Sequence, residues 1–152
     1  MIRKLSKLLV DAFSRESPEL EADIARLGRS SQLAEEAPHV VVIANRRGLI
    51  EYANPKFTEM TGYSREDAPG LSLRILGWGL EPVTGYLPVW KAIETGCEWQ
   101  GEFLSKTRDE IFCRESATVS PLEFPIGKVT HFLVLKGRFG ADNFGTATEE
   151  AQ

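Results

Sequence analysis

His39 and His131 are the only imidazoles in this chain, Cys97 and Cys113 the only thiols, and Trp78, Trp90 and Trp99 the only indoles. A histidine beside a carboxylate or a nucleophile moves protons, and cysteines two residues apart hold zinc or exchange a disulfide. The spacing offers neither. Both histidines fall in strand-like runs with no acid/base pair beside them, which reads as packed or surface imidazole, and the cysteines lie too far apart for a CxxC pair and lack a histidine at ligand spacing. They read as free thiols of a reducing compartment. GxSxG, GxxxxGK[ST], HExxH and GxGxxG are absent, since Gly77-Trp78-Gly79 carries only a fragment of the last. Arg46 and Arg47 could face an anion, but at a hairpin tip they read as solvated turn residues. Trp78, flanked by glycines, is either a plug over a sheet or a lid on a ligand. Asn54 is first a helix cap and second a hydrogen-bond partner for a ligand. Ser116 and Thr118 alternate with Phe112 on one strand face, and if that face points inward their hydroxyls need partners.

The elements that must position these groups follow from periodicity. Ile2, Leu5, Leu8, Leu9, Ala12 and Phe13 give one apolar stripe on a helix running to Glu16. Ser17-Pro18 ends it and opens a second helix through Leu20, Ile24 and Leu27, stopped by Gly28, and a short third piece covers Gln32 to Glu36. This helical extension, residues 1–36, either docks on its own sheet or pairs with a second copy, and the stripe does not distinguish the two. HVVVIAN (39–45) and LIEYA (49–53) form a hairpin through Arg46-Arg47-Gly48. In the stretch YANPKFTEMTGYSRED, Asn54 caps a short helix that opens on Pro55 and ends at Gly62. Ser64 and Asp67 cap another that closes at Ala68-Pro69-Gly70. LSLRILGWGLEP is irregular, Tyr86, Trp90 and Ile93 mark a helix edge stopped by Gly96, and three strands follow at WQGEFLSK, IFCRESATVS and GKVTHFLVLK. Strands first, then helices, then strands make an α+β antiparallel sheet with short helices grouped on one face. The tail from Ala141 reads as frayed.

The chain has 152 residues, 42% of them apolar and 26% charged, the size and composition of one folded domain with extensions. Its 18 basic and 22 acidic residues give a net charge of −4, which argues against direct nucleic-acid binding. No apolar run reaches membrane-spanning length and no signal-peptide pattern opens the chain, so no membrane insertion and a cytoplasmic location are expected.

YANPKFTEMTGYSRED resembles the N-terminal signature of PAS domains, and VWKAIETGCEWQGEFLSK and VSPLEFPIGKVTHFLVLK resemble the long helix, following strand and last hairpin of that family. The resemblance covers about residues 37–137. It implies a five-stranded antiparallel sheet of order 2-1-5-4-3, a PAS domain over residues 37–138 and a flexible tail over 139–152. The stretch ILGWGLEPVTGYLPVWKAIETGCEW is similar to flavin-binding redox and oxygen sensors of the nitrogen-fixation regulator and aerotaxis receptor type. That likeness implies flavin adenine dinucleotide (FAD) as a candidate cofactor, the other cases being an unknown small ligand or none. Asn54, Trp78, Trp90, Trp99 and Phe103 would then lie near the ring or its entrance, with Ser116 and Thr118 offering hydroxyls to a ring edge.

The chain departs from the family at three places. The photochemical LOV branch needs a reactive cysteine where this sequence has SLRILGWG, so a LOV photoreceptor is not implied. The Asp-Ile-Thr element that couples many PAS domains to an output helix is replaced by KGRFG, which implies no fused C-terminal output domain. Gly85 and Pro88 fall where the long helix belongs, so that helix is expected to begin late or kink, leaving its first half as a mobile loop. Heme is disfavoured, because residues 81–96 hold no histidine. The function implied is a sensory or regulatory domain of signal transduction that responds to redox state or a small ligand, not an enzyme, and acts through protein contacts with a second copy or a signalling partner. The alternatives are a cofactor-free interaction module and, more remotely, a small α+β enzyme.

Overall fold

The run VVVIA has no polar residue in either of its alternating sets, the pattern of a strand covered on both sides. In the computed structural model, which describes residues 2–14, 23–76, 82–106, 112–124 and 127–138, it forms β1 (Val40–Asn45) of a five-stranded sheet. β2 (Ile50–Ala53), β3 (Trp99–Lys106), β4 (Phe112–Glu123) and β5 (Val129–Arg138) complete it in the order β2-β1-β5-β4-β3. The paired neighbours are antiparallel, as the sequence implied. Between β1 and β2 the register slips after Ile43, so that Tyr52 faces Ile43 and Ile50 faces Ala44, with Glu51 as the extra residue of a bulge.

Alternation along the strands sorts the core into two layers. Val40, Val42 and Ala44 of β1, Ala117 and Val119 of β4, and Phe132 and Val134 of β5 form an inner face. It packs against Phe57 of α4 (Pro55–Thr61), a 3₁₀ turn over Leu73–Leu76, and Val89 and Ile93 of α5 (Pro82–Thr95). The intervening residues Val41, Ile43, Leu133 and Leu135 form an outer face with Tyr52 and Leu122. It is covered by α1 (Ile2–Ser14), α2 (Asp23–Arg29) and α3 (Gln32–Glu35). Ile2, Ser6, Leu9 and Phe13 are the buried stripe of α1, and they lie on β4 and β5 of their own chain. Within the single chain the stripe therefore packs on its own sheet, and Leu8 stays exposed.

Local signals explain most boundaries. Asn54 caps α4, Pro55 takes its first position, and Gly62 ends it in the left-handed conformation at φ 85°. Four expectations need correction. Ser64 and Asp67 close a single turn, with the Asp67 N–H donating to Ser64 Oγ at 3.1 Å, and no second helix forms there. Gly28 does not stop α2 but lies within it, where the Tyr52 ring occupies the space a side chain would need. The long helix does not begin late: α5 runs from Pro82 to Thr95 with Pro88 inside it. Pro82 opens the helix, where a missing N–H is harmless, and Pro88 lies inside it on an exposed position. Arg46 is not simply solvated; it donates to the carbonyls of Glu94 at 3.2 Å and Val129 at 3.3 Å, clasping the hairpin tip to the last turn of α5. The Ser17-Pro18 break, Leu20, Trp78 and the tail from Ala141 lie outside the described residues.

Candidate functional site

Asn54 stands at the point where β2 turns into α4, and it is fully buried. Its Oδ1 accepts from the backbone N–H of Phe57 at 3.2 Å and of Val41 at 3.0 Å. Its Nδ2 donates to the carbonyls of Ala34 at 2.9 Å and His39 at 3.0 Å. Both donors and both acceptor directions of the amide are therefore used by backbone. Asn54 ties the helical wall, β1 and α3 together and keeps no hydrogen for a ligand.

Trp90 and Trp99 belong to the inner layer, each partly buried against its apolar cluster. The six-membered ring of Trp90 sits on Gly48 of the hairpin tip, and the Arg74 guanidinium lies 5.3 Å from the ring centroid. Its indole Nε1 is buried and, among the described residues, has no hydrogen-bond partner. The Thr58 hydroxyl on α4 is in the same condition. Trp99 is opposite Val119 in the β3–β4 register, and its ring folds along the strand over Gly101, where an added Cβ would stand 2.6 Å from Cζ2. Phe103 lies in β3 opposite Glu115.

Ser116 and Thr118 do not join this group. Thr118 pairs with Gln100 and Leu135, residues of the outer layer's phase, while Trp99 pairs with Val119. The next residue in phase, Ser120, bonds Ser6 of α1 through its hydroxyl at 3.0 Å. The face carrying Ser116 and Thr118 thus turns toward the N-terminal helices, and the expectation that it points at an inner ligand is corrected by strand alternation alone.

The inner face carries instead a polar feature that belongs to no sequence motif. Glu115 and Lys136 are in phase with Ala117 and Val119 on β4 and with Phe132 and Val134 on β5, and both are buried, at 4% and 6% exposure. Lys136 Nζ donates to Glu115 Oε2 at 2.8 Å. Two charges in phase with apolar residues are the signal by which the sequence could have revealed them. A buried ion pair is costly to desolvate and is weak evidence of a purely stabilising role.

Other titratable groups serve the frame. His131 is buried between Glu51, with Nε2 2.9 Å from Oε1, and Thr130, with Nδ1 2.8 Å from Oγ1. Tyr52 donates its hydroxyl to Glu35 at 2.6 Å, and Arg65 donates to the same carboxylate oxygen at 2.6 Å and to the Ala53 carbonyl at 3.1 Å. Burial first, and then the hydrogen bond to Glu35 and its charge, push the Tyr52 phenol well above its ordinary value, against the opposing pull of Arg65 and Arg29. The cluster anchors α3 both to β2 and to the turn after α4. Cys97 is an exposed free thiol.

A sheet of this order with short helices on its inner side agrees with sequence comparison, in which the PAS fold family matches residues 28–135. The chain belongs to the PAS fold family. It is 26% identical over 104 residues to the nitrogen fixation regulatory protein of Klebsiella pneumoniae, an alignment covering 68% of this chain and 21% of that protein. The chain thus spans about a fifth of the length of the curated relatives it matches. Among solved structures it is similar to the LOV domain of a blue-light activated histidine kinase from Erythrobacter litoralis, at 25% identity and TM-score 0.54, covering 68% of this chain and 97% of that one. It is also similar to a PAS domain from Colwellia psychrerythraea, at 18% identity and TM-score 0.57, covering 74% of this chain and 96% of that one. PAS domains are typically sensory and regulatory modules rather than enzymes, and this chain fits a role in signal transduction. No helix among the described residues is long and apolar enough to cross a membrane.

Proposed function

We propose that this domain senses redox state or a small ligand at the inner face of its sheet, with FAD as the candidate, and passes the signal on through protein contacts. The observation that carries the reading is the Glu115–Lys136 pair, two buried charges in an otherwise apolar layer that also holds Trp90 and Trp99. A flavin ring has an apolar end and a polar edge, and the residues present fit both. The valines, alanines and Phe132 of the inner face would meet the apolar end, and the charged pair and Trp90 Nε1, which has no partner among the described residues, would meet the polar edge. When bound, a flavin supplies a reversible electron store whose polar edge changes its hydrogen bonding on reduction.

The inner-face residues would hold such a group and Glu115 and Lys136 would meet its polar edge, with Phe57, Leu73 and Val89 keeping water from that layer. The response must favour one packing of the sheet against its helices over another for a signal to leave the core. On the extension Leu8 of α1 and Leu33 of α3 remain exposed at 48% and 42%, and we assign these side chains to contacts with a second copy or a signalling partner.

The absorption spectrum of purified protein, as isolated and after incubation with FAD and removal of the excess, tests the cofactor. Retained visible flavin bands at a stoichiometry approaching one per chain are expected. A bare protein spectrum after reconstitution would favour the cofactor-free interaction module.

A further inference from the structure

We propose that the groove between α1 and the outer face of β3 and β4 is a second binding site, for a small oxyanion: the phosphate or carboxylate group of a polar metabolite. It lies on the opposite side of the sheet from Trp90 and Trp99 and stands apart from the reading of the inner face. The half-open groove has a volume of about 530 Å³, within the range of small-molecule sites. Arg3, Lys4 and Lys7 of α1 line one side, and Gln100, Thr118 and Ser120 of the sheet line the other.

The charge arrangement is unfavourable as it stands. The first turn of α1 has no acidic residue and carries Arg3 and Lys4, with Lys7 a turn further on, so cations crowd the positive end of the helix dipole and repel one another. Among the described residues none of the three is engaged in an ion pair. An anion in the groove relieves both the dipole and the mutual repulsion. Asp11 and Glu98 also line it and leave a single net positive charge, which suits one anionic group and disfavours a polyanion.

The sheet side points the same way. The outer face is apolar at Leu122, Leu133 and Leu135 but becomes hydroxylic at Ser120 and Thr118, under a helix that would bury apolar residues more cheaply. Ser120 is satisfied by Ser6. Thr118, 4% exposed, has no hydrogen-bond partner for its hydroxyl among the described residues. A buried hydroxyl without a partner is uncommon and calls for an acceptor or donor that the protein itself does not supply. A ligand held between the two sides would also fasten α1 to the sheet, so its binding favours the docked extension.

Thermal unfolding of the full chain at constant ionic strength, titrated separately with inorganic phosphate, citrate and chloride, tests the site. A saturable rise of the midpoint with phosphate or with citrate, absent with chloride, is expected, and the arm that saturates identifies the class of oxyanion. The rise should vanish in Arg3→Ala/Lys7→Ala, whose changed side chains are exposed. Thr118→Val, which keeps the strand's shape and removes an unsatisfied hydroxyl, should unfold no earlier than the parent in the absence of anion and bind about 5- to 10-fold more weakly. No saturable rise with either oxyanion, a rise equal to that with chloride, or an undiminished rise in Arg3→Ala/Lys7→Ala would overturn the proposal.

Discussion

The indole of Trp90 rests on the α-carbon of Gly48, so that helix α5 and the β1–β2 hairpin meet through one aromatic ring and one missing side chain. Gly48 is at φ 77°, a conformation that other residues enter at a cost, and a Cβ there would collide with the Cζ3 and Cη2 edge of the Trp90 ring. Gly48→Ala is therefore expected to lose about 2–4 kcal/mol, combining the left-handed backbone with displacement of the ring. Urea unfolding measures it, and Trp90→Leu in the same chain should recover part of the loss by removing the collision but not the backbone term.

Asn54 makes four hydrogen bonds to backbone without exposure to water. Asn54→Ala leaves buried partners unsatisfied as well as removing a cap, and about 3 kcal/mol or more of stability should go with it. Asn54→Asp keeps the two accepting directions but sets a carboxylate against the carbonyls of Ala34 and His39. Its deficit should shrink as pH falls and the carboxyl takes up a proton, which denaturant midpoints across acidic pH would reveal.

Removing one member of the Glu115–Lys136 pair takes from the other its buried partner at 2.8 Å. Lys136→Met or Glu115→Leu alone should cost about 3–5 kcal/mol, whereas the double substitution should come close to the parent. If the pair orients a flavin, the double variant keeps its fold and loses retained flavin absorbance. Equal retention by parent and double variant would remove the pair from the site.

Tyr52 gives a pH dependence with a definite sign. Its folded-state pKa is raised, so the neutral phenol contributes fully below the unfolded value of about 10, and stability falls as pH rises beyond that, because only the unfolded chain ionises. Tyr52→Phe should lose about 1.5–3 kcal/mol at neutral pH with the hydrogen bond to Glu35, and show a flatter decline above pH 10. Paired urea curves at neutral and alkaline pH would check both.

Much of this architecture can be read before any coordinate is consulted. The capping of α4 by Asn54 with Pro55 and Gly62 is local chemistry that the fold keeps, whereas the equally local Ser64 and Asp67 signal closes only a turn. The choice of face for Ser116 and Thr118 is not local: both sides of this sheet are covered by helices, so alternation defines two sets of residues without saying which set meets which layer. The start of α5 was hidden for a related reason, because propensity penalises Gly85 and Pro88 while the packing of Val89, Ala92 and Ile93 on the sheet outweighs the penalty. Arg46 shows the same limit, since its partners at Glu94 and Val129 are distant in sequence.

The two-sided burial of β1 has a practical outcome. Val41 and Val42 are adjacent in the chain yet belong to separate compartments, one shared with the N-terminal extension and the other with α4 and α5. Neighbouring codons therefore tune different properties: a change of volume at 42 alters what the interior can accommodate, while the same change at 41 alters how firmly the outer helices are seated, so occupancy and output can drift apart by single substitutions.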